Sequence, residues 1–271
     1  MKLHALAVNA ALALLAALTL FPLAWMVSAS LMAPGEAASF PPPLAPKSAT
    51  LANYRELFAA EGIGRQAANS LLIAVGATLL SLAFNLAAGY AFAKLHFAGR
   101  ERIFRTLLGA LVIPAQVTMM PLFLMLKQMG LVNTYAGALV PWLASVFGIF
   151  LVRQYARSIP DEILEAARID GAGELRIFVS VVLPLLKPIV VTLAVLTFLG
   201  AWNDFMWPLI VLTDRDLQTL PVALAGLSRE HVQDTELMMA GSVVTTLPVL
   251  LLFLVLQRYY MQGLLMGSVK G

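Results

Sequence analysis

Residues 67–93 read AANSLLIAVGATLLSLAFNLAAGYAFA, without one charged side chain. A helix that crosses a bilayer needs about 20 mostly apolar residues. This stretch exceeds that length and is bounded by charge, with Arg65 before it and Lys94 after it. Five more stretches qualify, at about 6–29, 106–126, 134–152, 189–212 and 239–256. The chain is 60% hydrophobic and 12% charged over 271 residues. A soluble domain carries about 25% charged residues. The composition excludes an ordinary soluble enzyme and a disordered chain, and it makes the bilayer the solvent. The expected fold class is an all-α polytopic membrane protein with six transmembrane helices.

The first stretch has a rival reading as a signal peptide, since Met1, Lys2 and His4 precede it and small residues follow near Ser28. A signal's apolar region is roughly 7–15 residues. The run from Leu6 to Ala29 is longer and carries Pro22 and Trp25, so a retained anchor helix is expected.

Orientation follows from Lys and Arg in the loops. Of the 18 basic residues, twelve fall on one side, among them Lys94, Arg100, Arg102, Arg105, Arg153, Arg157, Arg168, Arg176 and Lys187. That side is expected to be cytoplasmic and to hold both termini. The cytoplasmic membrane of a bacterium or archaeon is the expected location. The net charge of +3 is diffuse, so no nucleic-acid partner is expected. Cys is absent, and the three His (His4, His96 and His231) are scattered, so no metal cluster is expected.

Two regions are expected. Residues 1–66 form the anchor helix and a Pro-rich extracytoplasmic loop stiffened by Pro34, Pro41, Pro42, Pro43 and Pro46, with a short helix near Leu51–Ala60. Residues 67–271 form the core with five spans. The outer segment 213–237 carries Asp214, Asp216, Glu230, Asp234 and Glu236. They read as an acidic rim or simply as the polar end of a loop.

Inside the core, residues 153–187 are far longer than a turn needs and read as helix. Ser158 is placed to cap it, and Pro160 suits a first turn. Asp161 and Glu162 suit the positive end of the dipole. Glu165 and Arg168, three apart, can pair. Gly171 is a natural stop. Ile159, Ile163, Ala166, Ala167 and Asp170 fall near one face. Such a short helix is marginal alone in water. It docks either on its own bundle or into a cytosolic partner, and spacing does not choose.

These residues carry a resemblance. Glu165-Ala166-Ala167, Asp170-Gly171-Ala172, Phe178, Leu183-Pro184 and Pro188 resemble the EAA loop of ABC importer permeases. Val181 stands where the family usually has Ile. Asn53-Tyr54, Asn69-Ser70, Trp202-Asn203-Asp204 and the tail Gln262-Gly263-Leu264, Gly267 and Val269-Lys270-Gly271 resemble the carbohydrate branch. The resemblance implies a coupling helix at Glu165, Ala166, Ala167, Asp170, Gly171 and Ala172, within a loop at about 153–188. It also implies two ATP-binding cassette subunits, a second permease subunit of a different chain, an extracytoplasmic solute-binding protein and a sugar substrate. The chain has no G-x-x-x-x-G-K-[ST] phosphate loop. ATP and Mg are therefore expected on the partner, with no cofactor and no enzyme activity on this chain.

Asp204 is the outstanding charge inside a span, where insertion costs about 2.5–3.5 kcal/mol. With Trp202 and Asn203 it offers an aromatic face, an amide and a carboxylate, the chemistry of sugar binding. The alternative is a polar pin between helices. Asn85, Gln116 and Thr118 are further in-membrane polar groups, each a candidate for the substrate path or an interhelical bond. Met119, Met120 and Met125 read as adaptable packing. Gly76, Gly89 and Gly109 are expected at close helix contacts. A polyol or sugar phosphate is the alternative cargo. An ion-driven secondary transporter would predict an inverted repeat and several in-membrane carboxylates. An intramembrane enzyme would predict a paired catalytic constellation. Neither pattern is evident.

Overall fold

Some helix ends follow proline and capping residues, at Pro114, Thr134 and Ser145, while Pro22, Pro121 and Pro248 lie inside continuous helices. The computed structural model describes residues 2–59, 61–230 and 234–268, with side chains at 4–59, 61–227 and 234–255. His231, Val269, Lys270 and Gly271 lie outside the described residues, as do the side chains of the tail match at 262–267. Among the described residues every regular element is helical. Three helices are long and apolar enough to cross a membrane: α1 (Lys2–Ser30), α3 (Ile63–Lys94) and α14 (Thr235–Ser268). The short α2 (Ala52–Ala59) precedes α3, close to where the sequence expects it.

The other expected spans are broken. The third, expected as continuous over 106–126, is α4 (Arg100–Ala110) and α5 (Ala115–Gln128), bent by 104°. Pro114 stands at the break with extended backbone and donates no N–H to continue a ladder. The fourth is α6 (Tyr135–Leu139) with a 3-10 turn (Val140–Trp142), followed by α7 (Val146–Arg157) at 45°. Thr134 and Ser145 each start a segment, their hydroxyls accepting from Gly137 N at 3.1 Å and Gly148 N at 2.8 Å. The fifth, expected over 189–212, stops at Trp202. It is α11 (Lys187–Trp202), then a break, then α12 (Met206–Val211). Ahead of α11, the segment Glu174–Leu185 meets it at 81°. That segment comprises α9 (Glu174–Ile177), a π-helical turn (Phe178–Val182) and α10 (Leu183–Leu185). Six crossings result only if each bent pair counts as one.

By contact the chain falls into two units, one of residues 1–67 and 220–250, the other of residues 68–219 and 251–271. The sequence assigns 220–250 to the core, whereas contact groups it with the N-terminal residues. In the first unit Met239 packs on a cluster of Trp25, Ala29, Met32 and Ala37. The buried Glu236 accepts a hydrogen bond from Ala37 N at 2.6 Å. Asn53, buried, donates to both Ser30 O and Met32 O at 2.9 Å, and Tyr54 OH meets Ser30 Oγ at 2.8 Å. This unit also holds α13 (Leu220–Glu230), whose Leu224 side chain abuts Gly241.

The second unit has two cores. One gathers Leu86, Tyr90, Val152, Ile159, Leu164, Ile177 and Leu186, and the other Ile73, Leu126, Trp207 and Val211. Gly89 lets α3 approach α7 closely, because a Cβ there would lie 2.5 Å from Val152 Cβ. Gly76 faces Leu139. Gly109 has open space instead of the expected helix contact. Asn69 donates to Asp216 O and Gln218 O and accepts from Tyr135 OH at 2.7 Å.

Candidate functional site

The segment after α7 turns twice before it forms its helix, α8 (Asp161–Ile169). Ser158 does not cap it. Ser158 ends α7, its hydroxyl donating to Tyr155 O at 2.7 Å, and Pro160 occupies the N-cap with extended backbone. The physical reason is that proline disfavours a helical residue before it, so the cap position slides to Pro160. Lys94 fastens this start, donating to Ile159 O at 2.5 Å and to Asp161 Oδ1 at 2.6 Å. The Lys94 ammonium holds the Asp161 carboxyl below the usual carboxylate range.

At its far end α8 stops at Gly171, whose φ of +80° is the left-handed conformation expected of a helix stop. The reversal brings Glu174 back beside Arg168. Arg168 Nε donates to Glu174 Oε1 at 2.7 Å, so its carboxylate partner is Glu174 and not the expected Glu165. Glu174 Oε2 accepts from Tyr90 OH at 2.8 Å, and the Tyr90 ring lies 5.2 Å from Phe178. One carboxylate thus ties the loop helix to α3. The guanidinium gains from that carboxylate, which raises the Arg168 pKa further.

The faces of α8 are sorted. Leu164 is buried, and Ala167 and Ala172 pack partly against the same core. Ile163, Ala166, Ile169 and Asp170 are exposed, with Ile169 at 86%. The expected shared face therefore divides: Ile159 is 6% exposed in the core, and Ala167 is half-buried. The nine-residue helix thus carries an exposed apolar surface, with an ion pair near each end. Glu165 lines a cleft of about 390 Å³ together with Arg157 and Arg168.

Arg153 braces the neighbouring helix. Its Nη2 donates to Glu101 Oε1 at 2.5 Å, and its guanidinium carbon sits 3.9 Å from the Phe104 ring centroid. Neither contact is local in the sequence.

The in-membrane candidates separate sharply. Asp204 lines a hollow of about 360 Å³ with Trp142, Trp207, Thr118, Met119, Pro141 and Gly200. Trp202, Asn203, Asn85 and Gln116 are not in its lining. Trp202 is buried and stacks on Phe198 at 6.0 Å. Asn203 is exposed and donates to Leu199 O, closing α11. Asn85 is buried, donating to Ser81 Oγ at 2.8 Å and accepting from Ser145 N at 2.9 Å, which is the interhelical-bond alternative. Gln116 is exposed. Trp142 and Trp207 were not singled out by sequence, because an aromatic residue inside an apolar run carries no local mark of what it faces.

Residues 85–265 match the family model described as binding-protein-dependent transport system inner membrane component. The arabinooligosaccharides transport system permease protein AraQ of Halalkalibacterium halodurans is 40% identical over 227 residues, covering 83% of this chain and 81% of that protein. The lactose transport system permease protein LacG of Rhizobium radiobacter is 34% identical over 259 residues, covering 96% and 94%. A chain of a bacterial ABC transporter involved in the import of the acidic polysaccharide alginate superposes with a TM-score of 0.84 at 25% identity, covering 96% of this chain and 97% of that one.

Proposed function

The chain belongs to the family of inner membrane components of binding-protein-dependent transport systems, and from that premise we propose that it is a permease subunit of an ATP-driven importer of a sugar or oligosaccharide. Carbohydrate permeases such as AraQ and LacG, matched over most of both chains, are the observation that carries the cargo class. We place the segment 153–188 on the cytoplasmic side, because the basic residues concentrate there.

In this reading the exposed face of α8 seats against an ATP-hydrolysing subunit. Ile163, Ala166 and Ile169 supply apolar contact, Asp170 supplies charge, and Gly171 permits the tight return. Glu165, at the edge of the basic cleft, forms an ion pair with the partner. Ala167 and Ala172 serve from behind, by letting α8 lie close to its own bundle. Two ATPase subunits, a second permease and an extracytoplasmic binding protein complete the machine, and ATP with Mg is held by the ATPase. Alternating access then needs two packings of the bundle, biased by the partner's nucleotide state. The multi-pass chain is assigned to the bacterial cytoplasmic membrane. The substrate path passes Asp204. Asn203 and Gln116 are exposed candidates beside it, while Trp202 and Asn85 shape the helices that carry it.

The test is sugar uptake by the reconstituted transporter, with its ATPase and binding protein, for wild type, Glu165→Lys and Gly171→Val. Loss of uptake or assembly in the variants is expected. Normal ATP-coupled uptake in both would refute the docking assignment, and wild-type failure on every sugar offered would refute the cargo.

A further inference from the structure

The hollow beside Asp204 has a chemical character that the coupling segment does not explain. Its volume, about 360 Å³, falls at the small end of the 300–1,000 Å³ of ligand sites. Its walls are mainly apolar and aromatic, with Asp204 the only charged residue among the described residues that line it. Both tryptophans are fixed before anything binds. Trp207 Nε1 donates to Gly137 O at 3.1 Å. Trp142 lies against Gly200, where a Cβ would come within 2.9 Å of the ring. Any side chain at position 200 would therefore push the Trp142 ring from its place.

The Asp204 carboxylate accepts from the backbone N–H of Trp207, at a long 3.4 Å, and of Met206, and no described cation pairs with it. It keeps acceptor sites for hydroxyl donors. Resting on the sugar-importer reading, we infer that this hollow is a subsite for one uncharged sugar ring, and that Asp204 makes it reject sugars bearing carboxylates. The apolar face of the ring lies on tryptophan, and its hydroxyls donate to Asp204. A uronate ring would bring a second negative charge beside Asp204 in a mainly apolar hollow where no described cation compensates. Like charges meeting in such a site are strongly disfavoured, and specificity arises from that penalty.

The test compares two disaccharides of equal size, lactose and digalacturonate, on the whole transporter in lipid nanodiscs. Binding is read by saturation-transfer NMR, which detects weak ligands. Wild type should favour lactose by about tenfold, the order expected for two like charges in a partly desolvated hollow. Asp204→Asn should bring digalacturonate to within about threefold of lactose, since a neutral amide removes the repulsion. Trp142→Ala should weaken lactose in an assembled complex, whose integrity is checked by its co-purifying ATPase. Equal binding of the two sugars by wild type would overturn the inference, and so would an unchanged preference in Asp204→Asn. If ATP-driven sugar uptake nevertheless proceeds, the importer reading survives that failure. If no sugar is taken up by the full transporter, the importer reading falls and this inference falls with it.

Discussion

Substituting Tyr90→Phe and Glu174→Ala, singly and together, should reveal an asymmetric bond between the loop helix and α3. Tyr90 is 4% exposed and donates to Glu174 Oε2, whereas the Glu174 side chain is 46% exposed and also holds Arg168. Removing the phenol leaves a carboxylate that Arg168 and water still satisfy. The expected cost is the net worth of one hydrogen bond, about 1 kcal/mol. Removing the carboxylate strands a buried phenol, which costs about 1–3 kcal/mol, and deletes a half-exposed ion pair worth about 0–1 kcal/mol. The double variant has no stranded phenol, so its cost should fall below the sum by about 1 kcal/mol. Hydrogen exchange of the amides in 161–177, measured by mass spectrometry on the assembled transporter, reads this local opening directly. Tyr90→Phe should speed exchange about fivefold and Glu174→Ala by at least that, up to about several hundredfold, at 1.4 kcal/mol per decade. Strict additivity would refute the reasoning, as would a larger effect from Tyr90→Phe than from Glu174→Ala.

Gly89→Val should destabilise the α3–α7 contact by about 1–3 kcal/mol, because Val152 already occupies the space of a side chain; a thermal midpoint equal to wild type would show that the helices can separate freely. Asn53→Ala should destabilise the first unit by about 1–3 kcal/mol, since two carbonyls at Ser30 and Met32 lose their donor, and an unchanged thermal midpoint would count against those bonds. The Lys94–Asp161 contact depresses the acid's pKa, so its stabilisation is present above about pH 4 and fades as pH falls further. Asp161→Asn should therefore weaken the acid-side loss of protection at 161–165 in hydrogen exchange, and an identical pH profile would count against the pair.

The sequence alone determined the solvent and much of the loop helix. Uncharged runs of more than twenty residues admit no other environment. Gly171 had to be a stop because its neighbours leave a left-handed position that glycine takes cheaply. The family, too, was legible, because several motif positions over 165–188 match together. Tertiary structure decided the partners of the charges. Arg168 chose Glu174 over Glu165 only after the chain reversed at Gly171, and Arg153 found Glu101 on α4. It also decided how far the spans bend, since Pro114 marks a break in the sequence but not its 104° angle. Within the span that ends at Trp202, sequence offered three adjacent candidates, and a helix end turned them apart. Asp204 faces a hollow with Trp142 and Trp207, contributed by other elements, while Trp202 stacks inside its own helix. Local pattern fixes what a residue is able to do, but only the approach of distant segments fixes what it meets.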